Sequence, residues 1–145
     1  MHEKEIIDLI RTAKIRTRNK IIVAIIEKPR DMESVYALQK KIKRQKGDFN
    51  FIEGEEAITL ITNSQYLDDI NVAFKLRIIK ITKNLVQVAM VFPQKIETTS
   101  GVVSYVYSLL ADNGINILEE MSCWTDLMIV IEEKDLAKAV SVLSF

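Results

Sequence analysis

The chain has 145 residues, 48% of them apolar, and its 20 lysines and arginines balance 20 aspartates and glutamates, a make-up that builds one hydrophobic core or two small ones. It is too short for a barrel enzyme or a dinucleotide fold with its own substrate domain, and its longest aliphatic run, 21–26, is too short for a membrane span or a signal-peptide core. One histidine (His2), one cysteine (Cys123) and four scattered glycines exclude histidine-based triads, a zinc site, an internal disulfide and a phosphate loop. The expectation is a binding protein without catalytic residues, metal or cofactor, at home in a reducing cytoplasm.

From Glu3 to Lys14, Ile6, Ile7, Ile10 and Ala13 mark one face of a short helix. The β-branched run at 21–26 reads as a buried strand that stops at Pro29. Asp31 then caps a helix with Met32, Val35, Tyr36, Leu38 and Ile42 inside, lysines outside and Gly47 just past its end. Strands follow at 48–53 and 56–62 across the Gly54-Glu55 turn.

Ser64 starts a helix carrying Leu67, Ile70, Val72 and Phe74. Two further strands, 76–82 and 85–92, are divided by Lys83-Asn84; the second is nearly all apolar and is expected at a sheet centre. A loop at 93–100 leads to a helix at 101–113 ended by Gly114 as a left-handed cap. Strands at 115–122 and 127–132 join around Trp124-Thr-Asp126, and 135–143 is the last helix.

This order is a helix, then β-α-β-β-α-β, then β-α-β-β-α: one unit of about 60 residues used twice, the second copy lacking a final strand. The fold class is α+β, two ferredoxin-like plaits in tandem, each an antiparallel sheet with helices on one face. The expected organisation is an N-terminal helical segment at 1–18, a first unit at 19–82 and a second at 83–145. Bare sheet faces and edges favour pairing into a homodimer or higher homo-oligomer.

Within 85–143, the strand to Phe92, the run Thr98-Thr99-Ser100-Gly101-Val102, then Leu109-Leu110-Ala111 and Asn113-Gly114-Ile115-Asn116-Ile117 resemble the ACT domain, a small regulatory fold that senses amino acids. Gly-Ile-Asn-Ile after a helix, with Ser-Gly-Val at the helix start, is its most specific part. Two such units in tandem resemble the regulatory part of aspartate kinases, although over 19–82 the likeness is one of element order alone. The resemblance implies an effector site lined by Thr98, Thr99, Ser100, Gly101, Val102, Asn116 and Ile117, often at an interface between two domains. Backbone N–H groups at 100–103 suit a carboxylate there. The segment 92–97, Glu119-Glu120-Met121 and Cys123-Trp124 depart from the kinase pattern, so effector identity does not transfer.

The resulting expectation is a non-catalytic sensor of a small amino acid or related metabolite, acting by a conformational or oligomeric shift on a separate enzyme subunit. The zero net charge conceals an asymmetry: residues 1–50 carry 13 cations against seven anions. The alternative is therefore a protein-interaction or nucleic-acid-associated module using this basic half. Nucleic acid is the weaker partner, because no aromatic residues interleave with the first cluster, Arg11 to Lys20.

Overall fold

The computed structural model describes residues 2–145; Met1, which falls in the expected N-terminal segment, lies outside them. The elements are α1 (His2–Thr12), β1 (Lys14–Glu27), α2 (Glu33–Arg44), β2 (Phe49–Glu53), β3 (Ala57–Asn63), α3 (Leu67–Phe74), β4 (Ile78–Val91), α4 (Val102–Asp112), β5 (Glu119–Cys123), β6 (Asp126–Glu132) and α5 (Leu136–Leu143). They form two compact units. One, the inserted unit, is Asn19–Leu85; the other, the composite unit, joins the segment ending at Arg18 to Val86–Phe145. β1 and β4 each contribute one stretch to either unit.

In the inserted unit the strand order is β2-β3-β1-β4, the arrangement of a β-α-β-β-α-β plait. β1 pairs antiparallel with β3 from Ile21↔Asn63 to Glu27↔Ala57, and β2 with β3 from Phe49↔Thr62 to Glu53↔Ile58. Strand side chains alternate between faces, so Ile22, Ala24 and Ile26 join Ile58 and Leu60 beneath Val35, Leu38 and Ile42 of α2 and Ile70 and Phe74 of α3. Ile21, Val23 and Ile61 are also buried yet stand outside that cluster. Both faces of β1 are covered here, which accounts for its unbroken apolar run.

The composite unit has the order β5-β6-β4-β1, with Lys14–Arg18 at the edge because pairing with β3 begins only at Ile21. The chain's early residues thus supply the strand that the second copy lacks in its own sequence. Val86, Val88 and Met90 of β4 and Leu127, Ile129 and Ile131 of β6 meet Val102, Val106 and Leu110 of α4, Ala139 and Leu143 of α5, and Ile6, Leu9 and Ile10 of α1.

Several expected boundaries move. α1 ends at Thr12, and the chain is already extended at Lys14, well before the apolar run. The two strands expected at 76–82 and 85–92 are one strand, β4, because Asn84 takes a left-handed φ of 59° within it instead of closing a turn. Asn is among the few residues other than glycine that occupy that region at small cost. Ser64 opens a short 3-10 turn, not the α-helix itself, and caps nothing with its side chain. Residues 115–118 precede β5 as irregular chain, so that strand is shorter than its sequence suggests. Among the described residues no helix is long and apolar enough to cross a membrane.

Candidate functional site

Among the described helix starts with an N-cap residue, α4 alone has that residue in a left-handed conformation. Gly101 precedes it at φ +89°, a left-handed conformation that glycine adopts freely. The first intrahelical bond runs from the Tyr105 N–H to the Gly101 carbonyl at 2.9 Å, and no side chain caps the end. The amides that open the helix therefore point outward with no intrahelical acceptor, and the helix dipole adds partial positive charge there. At α2, by contrast, the Asp31 carboxylate accepts the Glu33 N–H at 3.0 Å, so that end already holds an anion of its own.

The loop before α4 is tied into a fixed shape. After Pro93 it makes a 3-10 turn, Gln94–Thr98, with the Ile96 N–H on the Pro93 carbonyl at 3.0 Å. Thr98 Oγ1 and Thr99 Oγ1 both donate to the Lys95 carbonyl, at 3.3 and 2.9 Å. The tip of the β5–β6 hairpin braces the same loop: the Phe92 N–H meets the Thr125 carbonyl at 2.9 Å, and Trp124 Nε1 donates to the Glu97 carboxylate. Trp124 itself is 70% exposed, at φ 52°.

α1 also reaches the site. His2 Nε2 stands 2.9 Å from the Ser100 carbonyl, which makes that ring nitrogen the donor. Ile6 approaches so closely that a methyl on Gly101 would lie 3.3 Å from its Cδ1. Neither contact could be read from the sequence, because they join residues nearly a hundred positions apart.

Of the expected site residues, Thr98 to Val102 are contiguous at the mouth of α4. Ser100 and Gly101 are exposed, whereas Thr99 is buried and Val102 points into the core, so Val102 has only its N–H to offer. Asn116 and Ile117 lie beyond the far end of α4, where Gly114 turns the chain at φ +70° and the Ile115 N–H bonds the Leu110 carbonyl at 3.0 Å. Asn116 is exposed and Ile117 packs against the core. Eleven helical residues span roughly 16 Å, more than the length of a free amino acid. Within the composite unit, then, the structure does not bring Asn116 to the loop.

Residues 80–144 match the family model of the ACT domain. Among solved structures, aspartate kinase from Clostridium acetobutylicum superimposes with a TM-score of 0.72 at 18% identity, over 90% of this chain and 33% of that one. The ligand-free regulatory subunit of aspartate kinase from Thermus thermophilus matches with a TM-score of 0.68 at 11% identity, over 91% and 94%. A putative C-terminal regulatory domain of aspartate kinase from Porphyromonas gingivalis matches with a TM-score of 0.64 at 14% identity, over 92% and 96%. The chain thus spans a third of the Clostridium enzyme and nearly the whole of the other two. No curated protein matches the sequence.

Proposed function

From the ACT domain at 80–144, we propose that this chain is a regulatory protein that binds a small amino acid at the start of α4 and carries no catalysis of its own. The observation that carries the reading is the uncapped α4 terminus behind the left-handed Gly101, inside the residues that match the ACT domain. The effector's carboxylate receives the N–H groups of 101–103 and the exposed Ser100 hydroxyl flanks it, while the Thr98 hydroxyl, given to the Lys95 carbonyl, holds the loop in shape. The likeness to regulatory subunits of aspartate kinase supports an output through a separate enzyme subunit.

Because α4 stands between the loop and Asn116, a ligand that uses both takes them from two copies: Thr98 to Val102 of one and Asn116 and Ile117 of the other. Binding then favours the homodimer, and the signal is a shift in that equilibrium. Thermal unfolding with each of the twenty amino acids tests this. A ligand present at 100 times its Kd adds about 2.7 kcal/mol, and Asn116→Ala is expected to abolish that gain while leaving the ligand-free melting temperature in place. A strict monomer with bound ligand would remove Asn116 from the site. Twenty unmoved melting temperatures, with salt-sensitive binding of nucleic acid, would favour the basic-module reading instead.

A further inference from the structure

The β5–β6 hairpin turns in two residues, Trp124 and Thr125, between the paired Cys123 and Asp126. Of the described non-glycine residues at positive φ, three are lysines, one is Asn84 and the fifth is Trp124. Tight hairpins give such a position to glycine, asparagine or aspartate, and a bulky side chain held there is an outlier. Burial does not offset the cost, because the indole is exposed. Backbone strain of this kind persists only where the surroundings over-determine it, and it collects at binding sites and switches.

What holds Trp124 is the loop ahead of α4. Its Nε1–H donates to the Glu97 carboxylate, a charge-assisted bond. Thr125 beside it is buried, and its carbonyl accepts the Phe92 N–H. Thr125 thus fixes where the loop begins, and Trp124 reaches its middle. The bonds inside the loop are local: the Ile96 N–H meets the Pro93 carbonyl, the Thr99 N–H meets the Ile96 carbonyl, and two threonine hydroxyls share the Lys95 carbonyl. They shape the loop without tying it to the rest of the unit. Ile96 against the core and His2 at the Ser100 carbonyl are its other tethers, so loss of the indole loosens the loop without unfolding the unit.

We propose that Trp124 is a positioning residue: latched to Glu97, it orders the loop so that Ser100 and Gly101 stand ready for the ligand. The strained turn is the cost of placing an indole where it can reach that carboxylate. The role in ligand binding rests on α4 being the effector site; the latch itself does not.

Amide hydrogen exchange in the full ¹⁵N-labelled chain, with no ligand added, tests the latch. In Trp124→Gly and in Glu97→Ala the Ile96 and Thr99 amides are expected to exchange about tenfold faster, while Phe92 and the β4 and β6 amides keep their protection. Trp124→Gly should nevertheless melt no lower than the parent, since glycine accepts the positive φ. Glu97→Gln, which keeps an acceptor for the indole, should retain most of the protection, and the double change Trp124→Gly/Glu97→Ala should exchange no faster than either single one. Unchanged Ile96 and Thr99 exchange in both single variants would overturn the latch. So would protection lost across the whole composite unit together with a lowered melting temperature. Each of the twenty amino acids is then added in thermal unfolding. One that stabilises the parent should lose most of that gain in Trp124→Gly, and an equal gain in both proteins would overturn the positioning role. If none of the twenty moves the parent, α4 falls as the effector site, and exchange still decides the latch.

Discussion

Gly47 offers a sharp test of the packing around Tyr66. A methyl at Gly47 would stand 2.6 Å from Tyr66 Oη, 2.7 Å from Tyr66 Cε2 and 2.8 Å from Ile42 Cγ2. Tyr66 is 1% exposed and Ile42 0%, so neither side chain can retreat into solvent. Overpacking a closed core costs about 1–3 kcal/mol. Three contacts this short place Gly47→Ala near the top of that range, less about 0.4–1 kcal/mol regained from the stiffer unfolded chain. The Tyr66 hydroxyl is buried with no hydrogen-bond partner among the described residues, and such a group costs about 1–3 kcal/mol when left unsatisfied. Tyr66→Phe is therefore expected to be neutral or stabilising, and to delete the shortest of the three contacts. In its background the cost of Gly47→Ala should fall by about 1 kcal/mol without vanishing, because Cε2 and Ile42 remain in the way. Urea unfolding of the four proteins, followed by far-UV circular dichroism, measures the cycle; in thermal scans each kcal/mol is worth about 2–4 °C. A Gly47→Ala protein as stable as the parent, or a cost unchanged by Tyr66→Phe, would refute the reasoning.

Gly101→Ala should destabilise by about 1–2 kcal/mol, since it forces a side chain into a left-handed φ of +89° and against Ile6; a melting temperature within a degree of the parent would contradict this. Burial, then the hydrogen bond and charge of Glu120, hold the Tyr107 phenol well above its ordinary range. A group whose folded pKa lies above its unfolded value contributes stability that is complete below the unfolded pKa, here about 10, and is lost as pH rises beyond it. Tyr107→Phe should accordingly flatten the fall in stability above pH 10, and absorbance at 295 nm should show one tyrosine ionising last in the folded parent. A parent and variant with the same alkaline limb would exclude the effect.

The sequence was most legible where one physical signal dominated. Alternating or continuous β-branched runs gave the interiors of β1, β3, β4 and β6, and Gly114 marked the end of α4 with its left-handed φ. Legibility failed where the chain is extended yet polar. Lys14, Arg16, Arg18 and Lys20 form part of a strand, but an edge strand needs few apolar residues and profits from cations that block pairing with other chains. Gly47 also misled: the left-handed residue after α2 is Lys46, at φ 60°, and Gly47 matters because no side chain fits under it. Within the site, the loop and Gly101 were readable as a helix entrance. The bracing by Trp124 and the approach of His2 depend on long-range packing that no local pattern encodes.

The composite unit joins segments that flank the inserted unit on either side, and this sets an order on synthesis. Residues 19–85 leave the ribosome as an uninterrupted block, whereas α1 and Lys14–Arg18 emerge before it and must wait for 86–145 before their unit can close. For that interval the early strand is an open template with no partner of its own. Three cations at alternate positions, Lys14, Arg16 and Arg18, keep it soluble and disfavour pairing with the same segment of a neighbouring nascent chain.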